Sequence, residues 1–225
     1  MVQSINAKAI LTLASVLRRP YLLVPHVNVS NVSELDYSSL KNYVDAIVFD
    51  KDNTLTAPYE NRIHHDASAG LLSAIEVFGE DRVAILSNSA GTKDDPEYLD
   101  AIEIENTLGI KVIRHDEKKP GGLDEVLNHF EMTDPCRICV VGDRLLTDIV
   151  FGNLYGMLSV HTLPLCKGED NKKDNKVADT LRSVENSILY SNWFVGRWLK
   201  NSKCTHKFWP GEETNPLTTI ENTSS

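Results

Sequence analysis

Two aspartates separated by a single residue, Asp50 and Asp52, follow a mostly apolar run over residues 43–49. The run is partly β-branched, which indicates a buried parallel strand, and open α/β sheets bind ligands at the carboxyl ends of their strands. Asp50 could be a nucleophile or a metal ligand, and Asp52 a general acid or base. Two carboxylates this close repel unless one is protonated or a divalent cation lies between them. An acidic loop without a catalytic role is the competing interpretation.

Three further apolar runs end in groups that suit phosphate chemistry. These predicted strands cover residues 82–86, 111–113 and 137–141. Ser87 ends the first, and its hydroxyl and nearby backbone N–H groups could hold phosphate oxygens. The second leads to Lys119, just before a predicted helix, where a cation is well placed to bind an oxyanion. The third leads to Gly142 and Asp143, with Asp148 about one helical turn later.

Strands alternate with helices along this part of the chain, which predicts an α/β fold with a doubly wound sheet of about five parallel strands and helices on both faces. One helix is predicted to begin after Asp66, which would be its N-cap. Three more helices are predicted over residues 96–108, 123–130 and 146–155, and a last strand over residues 157–163. His64 and His65 could be a metal pair, but a solvated helix start is the simpler interpretation. The intervals from Thr54 to Ser87 and from Ser87 to Lys119 hold only one helix, loops and a strand each, which predicts that no cap domain is present.

Composition indicates one domain with tails. The 225 residues are 41% hydrophobic, enough for a core, and the formal net charge is −9. Residues 1–33 and 186–210 nevertheless contain basic residues and no acid. Basic, apolar ends favour an anionic membrane surface, whereas a nucleic-acid-binding protein would carry its basic face on the domain itself. We therefore divide the chain into a membrane-association segment over 1–33, a domain over 34–200 and a flexible tail over 201–225.

Both ends are open to more than one interpretation. Residues 3–19 predict an amphipathic helix that packs on the domain, lies in a membrane interface or acts as an import signal. Residues 21–25 suit interfacial insertion or a docked strap. The charged stretch 167–176 predicts a loop. The helix predicted over 177–200 ends in a tryptophan-rich segment, residues 192–200, that suits a membrane interface, a core or a partner surface.

The cysteines do not predict a metal or redox site. Cys136 and Cys139 have CxxC spacing, but Cys166 and Cys204 are isolated, so no second pair completes a zinc site. Cys139 begins an apolar run, where it is best explained as a small core residue. No disulfide framework is indicated, and a reducing compartment is expected.

The four strand exits together resemble the haloacid dehalogenase (HAD) superfamily, whose motifs are DxDxT, a strand-end Ser or Thr, a Lys and GDxxxxD. The resemblance covers about residues 44–162. It implies that Asp50 attacks phosphorus and that Asp52 protonates the leaving group and then activates water. It also implies Mg²⁺ bound by the Asp50 and Asp143 carboxylates and the Asp52 carbonyl.

The same resemblance assigns supporting roles. Ser87 and Lys119 would hold the transferring oxygens, with Asp148 orienting Lys119 or a metal-bound water from behind, and Thr54 also in this outer layer. Phosphoryl transfer needs mainly positioning and charge neutralisation, which is consistent with these residue types.

A narrower resemblance lies in less general residues: Asp-Lys-Asp-Asn-Thr, Ser-Asn-Ser-Ala-Gly, Arg-His-x-x-Lys-Lys-Pro-Gly and Gly-Asp-Arg-Leu-x-Thr-Asp. These look like the mitochondrial phosphatidylglycerophosphate (PGP) phosphatase family of fungi. The resemblance implies hydrolysis of PGP to phosphatidylglycerol in cardiolipin synthesis, on the matrix face of the mitochondrial inner membrane.

An open site without a lid would suit a lipid headgroup presented by a bilayer. An anionic phospholipid would be attracted by basic side chains near the strand exits, and we expect a subset of candidate headgroup ligands to grip it: Lys51, Asn88, Arg114, His115, Lys118 and Arg144. A capless phosphatase acting on a phosphoprotein or a small phosphomonoester is the alternative, and a non-catalytic HAD-like module is disfavoured because each catalytic position is filled. The sequence does not indicate an oligomeric state.

Overall fold

The computed structural model describes residues 16, 18–166 and 204–210. Within them, six parallel strands form one sheet in the order β1-β6-β5-β2-β3-β4. The strands are β1 (Val27–Val29), β2 (Ala46–Phe49), β3 (Val83–Ile85), β4 (Lys111–Val112), β5 (Ile138–Gly142) and β6 (Leu158–Thr162). All five pairings are parallel. The predicted doubly wound α/β class is therefore confirmed.

Helices cover both faces of the sheet. They are α1 (Tyr37–Leu40), α2 (His65–Phe78), α3 (Leu99–Leu108), α4 (Leu123–Phe130) and α5 (Val150–Tyr155), with a π-helix over Leu145–Ile149 before α5. Side chains of β2 alternate between the faces, since Ile47 and Phe49 pack with α1, α2 and α3 while Val48 packs with α4 and α5. This alternation follows from the two-residue period of a strand.

The sheet has one strand more than the sequence predicts, at the edge formed by β1. Val27 and Val29 are buried and pair with Val160 and Thr162 of β6. A three-residue strand leaves too short a pattern to be recognised from periodicity. Residues that we assigned to the N-terminal segment therefore extend the sheet.

The strap over residues 20–24 docks on the domain. Leu22 and Leu23 are buried in a small cluster with Leu145, Ile149 and Val150. The Asn153 side-chain amide of α5 donates to the carbonyls of Leu22 (2.9 Å) and Val24 (2.8 Å). The docked-strap alternative describes this segment.

Several predicted boundaries shift slightly. α2 begins at His65 with His64 as its N-cap, so the prediction of Asp66 as N-cap is wrong by two residues. His64 Nδ1 accepts from the Asp66 backbone N–H, which is the role of a capping side chain. Cys139 is fully buried within β5, and burial raises its thiol pKa.

Other predictions lie outside the described residues: most of the helix over 3–19, the loop over 167–176, the helix over 177–200 with its tryptophan-rich segment, and most of the flexible tail over 201–225. The described part of that tail, residues 204–210, instead packs on the domain, with Trp209 buried in its core. Between β2 and Lys119, the described chain contains α2, β3, α3 and β4 joined by loops and 3-10 turns, with no inserted domain. None of the helices in the described ranges combines the length and the apolar character needed to cross a bilayer.

Candidate functional site

The predicted site residues leave the sheet at its carboxyl edge. Asp50 directly follows β2, Ser87 lies two residues after the end of β3, and Asp143 directly follows β5. Lys119 lies in the loop between β4 and α4, and the Lys119–Pro120 peptide bond is cis. Because the strands are parallel and β2 lies between β3 and β5, these exits are neighbours.

Lys119 connects two buried carboxylates. Its Nζ lies 2.6 Å from Asp50 Oδ1 and 2.6 Å from Asp148 Oδ1, and its side chain is 2% exposed. Burial alone would lower the pKa of Lys119, but Asp148 and Asp50 together outweigh burial and raise it. The ammonium is therefore charged and holds the predicted nucleophile in place.

Asp148 is more deeply buried than Asp50 and Asp143. Burial raises the pKa of its carboxyl, the nearby Asp50 adds to the rise, and Lys119 offsets only part of it. The Asp148 Oδ2 oxygen accepts from the Arg144 backbone N–H at 3.1 Å. This contact and the ion pair place Asp148 next to Lys119, and its supporting role stays a prediction.

Gly142 makes room for Asp148. A Cβ atom at residue 142 would overlap Asp148 Oδ2 and Cγ, so any side chain here would displace the carboxylate. The π-helix that carries Asp148 begins three residues after Gly142 and places Asp148 against the end of β5. π-Helical turns often occur at functional sites.

The acids of this edge form a group that could hold a metal ion. One carboxylate oxygen from each of Asp50, Asp143 and Asp148 lies within 4.8 Å of the others, and all three residues are buried. Three buried carboxylates beside one ammonium leave excess negative charge, which a divalent cation would balance. Carboxylate oxygens are the ligands that Mg²⁺ prefers, so the donor set fits this ion.

Asp52 faces a different partner. Its Oδ1 oxygen accepts from Lys51 Nζ at 2.8 Å and from the Tyr59 backbone N–H at 3.0 Å. The Asp52 carboxylate is therefore not part of the ion pairs that Lys119 forms with Asp50 and Asp148. The sequence did not anticipate this pair, because Lys51 was predicted only as a headgroup ligand.

The loop after β3 supports Lys119 as well as carrying Ser87. The Asn88 side-chain oxygen accepts from the Lys119 backbone N–H at 2.8 Å. Ser87 Oγ lies 3.0 Å from Ser89 Oγ and accepts from the Ser89 N–H at 3.3 Å. Both side chains thus fix the local shape of the predicted oxyanion site.

Two of the other predicted headgroup ligands are engaged in ion pairs. Arg114 pairs with Glu105 at 2.8 Å, and Lys118 pairs with Asp94 at 2.6 Å. His115 is buried, and its Nδ1 lies 3.0 Å from the Ile113 carbonyl. Burial lowers the pKa of His115, which favours a neutral ring.

Arg144 is partly buried at the start of the π-helix, and its backbone contacts Asp148. Thr54 is buried in the turn after Asp52, where its N–H donates to the Lys51 carbonyl at 3.4 Å. The headgroup roles of the basic residues stay predictions.

Asn53 was missed by sequence reasoning. It is fully buried with φ of 63°, its Oδ1 accepts from the Cys166 N–H, and its carbonyl accepts from the Leu165 N–H. It therefore ties the chain after β6 to the loop that carries Asp50 and Asp52. Asparagine is among the few residues that enter the left-handed region readily, and this was the available signal.

Comparison with known proteins assigns the family. The sequence profile described as mitochondrial PGP phosphatase matches residues 6–164. The chain is 43% identical over 147 residues to phosphatidylglycerophosphate phosphatase 1, chloroplastic, of Chlamydomonas reinhardtii, covering 64% of this chain and 54% of that protein. It is 41% identical over 172 residues to the chloroplastic/mitochondrial phosphatidylglycerophosphate phosphatase 1 of Arabidopsis thaliana, covering 75% and 49%.

A fungal relative matches over more of its own length. The chain is 33% identical over 159 residues to the mitochondrial phosphatidylglycerophosphatase GEP4 of Saccharomyces cerevisiae, covering 69% of this chain and 85% of that protein. The chain spans about half the length of the algal and plant relatives. The profile match covers well over half of the chain, and the residues it spans include every predicted catalytic position. The chain belongs to the mitochondrial PGP phosphatase family.

Proposed function

We propose that this protein hydrolyses phosphatidylglycerophosphate to phosphatidylglycerol and phosphate through a phosphorylated Asp50. The observation that carries the proposal is the Asp50 carboxylate at the carboxyl end of β2, held 2.6 Å from a buried ammonium of Lys119. The family match supports the same substrate.

In the first step, Asp50 forms a bond to phosphorus while the bond to the glycerol oxygen breaks. The electron pair of the broken bond stays on the glycerol oxygen, which takes a proton from the Asp52 carboxylic acid. Lys119 and the Ser87 hydroxyl stabilise the negative charge on the transferring oxygens. Asp52 lies in the same turn as Asp50, and in this mechanism its side chain acts on the glycerol oxygen bonded to the phosphorus that Asp50 attacks.

In the second step, a water attacks the phosphorus of the aspartyl-phosphate and gives a proton to the Asp52 carboxylate. The bond between Asp50 and phosphorus breaks, which restores the Asp50 carboxylate and releases phosphate. Asp148 keeps Lys119 charged and oriented through its 2.6 Å ion pair.

We infer that Mg²⁺ is the cofactor, bound by the Asp50 and Asp143 carboxylates and the Asp52 backbone carbonyl. When bound, it supplies positive charge that neutralises the phosphate oxygens and the clustered acids. The carboxylate oxygens of Asp50 and Asp143 within 4.8 Å of each other support the carboxylate part of this assignment.

A lipid substrate on the matrix face of the mitochondrial inner membrane is part of the proposal. Two observations support it: relatives from two yeasts are named mitochondrial, and no domain is inserted between β2 and Lys119 to cover the site. An uncovered site can accept a headgroup that remains in a bilayer. We also propose that the part of the N-terminal segment before the docked strap, residues 1–19, and the tryptophan-rich segment contribute to peripheral membrane binding.

The test compares PGP in vesicles with glycerol 3-phosphate and a phosphopeptide, each with Mg²⁺ and with EDTA. We expect Mg²⁺-dependent phosphate release, with kcat/KM for PGP exceeding the soluble esters at least about tenfold, since only PGP is presented by the membrane. Equal or faster turnover of the soluble esters would favour the alternative capless phosphatase.

Asp50→Asn is the matched variant, because it keeps the shape of the side chain and removes the nucleophile. We expect kcat to fall by at least about 10³-fold and the far-UV circular dichroism to remain unchanged. Retained turnover of PGP in this variant would refute the aspartyl-phosphate.

A further inference from the structure

Lys51 lies between the two catalytic aspartates in sequence and is buried within the site. Its side chain is 4% exposed, whereas the side chain of its partner Asp52 is 20% exposed. A buried lysine requires a charge partner, because removing an ammonium from water is costly. The partner here is the proposed acid–base residue, which connects Lys51 to the reaction.

The Lys51 backbone is held firmly. Its carbonyl accepts from the N–H groups of Leu55 at 2.9 Å and Thr56 at 3.0 Å, closing the turn after β2. The backbone that carries the Lys51 side chain is therefore fixed, and its ammonium contacts Asp52 Oδ1 at 2.8 Å. Arg114 and Lys118, in contrast, direct their charges to Glu105 and Asp94.

Both donors to Asp52 that the described residues supply converge on one oxygen. Oδ1 accepts from Lys51 Nζ and from the Tyr59 N–H at 3.0 Å. A proton on the carboxyl group then resides on Oδ2, since Oδ1 already accepts two hydrogen bonds. The pairing orients the carboxyl group and selects the oxygen that transfers the proton.

We propose that Lys51 is a positioning residue for Asp52, aiming Oδ2 at the oxygen of the leaving alcohol. The inference rests on the proposed function, because it assigns a role within that reaction. Lys51 acts when the leaving oxygen needs a proton as its bond to phosphorus breaks. A substrate whose leaving group is stable as an anion needs this assistance little.

The experiment measures kcat/KM for substituted phenyl phosphates whose leaving groups span a range of pKa, with the full chain and Mg²⁺. For a two-step hydrolase, kcat/KM reports the formation of the aspartyl-phosphate, so the second step does not mask the effect. Lys51→Met should lose about tenfold on phenyl phosphate and less than about twofold on dinitrophenyl phosphate, giving a steeper dependence on leaving-group pKa.

Lys93→Met is the matched control. Lys93 is an exposed lysine that pairs with Asp116 at 3.1 Å, and its removal should leave the leaving-group dependence unchanged. Lys51→Gln, which has a neutral side chain able to donate a hydrogen bond, provides a second variant if Lys51→Met does not fold. In Lys51→Gln, the dependence of kcat/KM on leaving-group pKa should be steeper than in the wild type and shallower than in Lys51→Met.

The outcomes are distinguishable. Equal losses on all phenyl phosphates would overturn the inference and assign Lys51 to phosphate binding or to structure. Asp52→Asn should show the steep dependence by itself, and adding Lys51→Met should not steepen it further; an additional effect in the double variant would also overturn the inference. A wild-type protein inactive on every phosphate ester would refute the proposed function instead.

Discussion

The two edges of the sheet are built on opposite electrostatic principles. At the amino edge, Arg137 and Asp45 form an ion pair with two bonds of 2.7 Å, in which the side chains are 29% and 45% exposed. At the carboxyl edge, Asp50, Asp143 and Asp148 crowd together with the buried Lys119 ammonium. At the amino edge, one cation pairs with one anion in a partly exposed position. At the carboxyl edge, three acids and one ammonium leave excess negative charge in a buried position.

The amino edge is also where the chain returns after residue 203. His206 Nε2 lies 2.9 Å from the Cys136 carbonyl, and Trp209 packs edge-on against Tyr43 with ring centroids 5.1 Å apart. Arg137 lies over the Phe208 ring. This edge is consequently closed by packing, whereas the carboxyl edge keeps unbalanced charge that a ligand can neutralise. The contrast teaches that the two edges of one sheet treat charge differently: the amino edge pairs its charges and packs over them, while the carboxyl edge leaves charge for a ligand.

Removing the cation of the carboxyl edge should have the largest effect. Lys119→Met leaves two buried carboxylates without their shared partner, so we expect the free energy of unfolding in EDTA to fall by about 3–5 kcal/mol. We expect kcat for PGP to fall by about 10²–10³-fold, because a charge on the transferring oxygens is lost. Urea unfolding and phosphate release measure the two quantities. Unchanged stability and activity would contradict the paired geometry.

The second-largest effect should be on the pH dependence of stability, and it should come from the buried His26 at the amino edge. Burial lowers the pKa of His26 from its ordinary value of 6.5 to about 4, with a smaller contribution from His206. The unfolded chain therefore binds more protons between these values, so stability from His26 is present above pH 6.5 and is lost as pH falls towards 4. The loss should reach about 3 kcal/mol.

Urea unfolding at several pH values between 7 and 4.5 tests this prediction, with His26→Gln as the comparison. The variant should show a shallower dependence of unfolding free energy on pH, although burial also lowers the pKa of His161 and His206, which contribute in the same direction. Identical slopes in wild type and variant would show that His26 titrates normally in the folded protein.

The smallest effect on stability should come from the partly exposed Arg137–Asp45 ion pair of the amino edge. Arg137→Met removes a cation, as Lys119→Met does, but Asp45 remains hydrated, so we expect a loss of about 1 kcal/mol and unchanged kcat. Thermal unfolding and PGP hydrolysis measure both. A loss as large as that of Lys119→Met would remove the distinction between the two edges.

Prediction from sequence succeeded where the signal was local. Apolar runs followed by Asp50, Ser87 and Asp143 identified three strand exits, because parallel strands bring their carboxyl ends to one edge. It failed for β1, whose three residues carry too little pattern, and for the N-cap of α2. It also did not anticipate the role of Asn53, since its contacts are with residues more than 100 positions away.

By itself, the sequence determined the fold class, the family and the edge of the sheet at which the predicted site residues gather, because these depend on residue type and order along single strands and loops. Only the tertiary structure decided which charges pair: Lys119 with Asp50 and Asp148, and Lys51 with Asp52. It also decided that the segment after residue 203 packs at the opposite edge. The physical reason is that the energy of a charge depends on its burial and on its neighbours in space, and neither quantity is encoded in local periodicity.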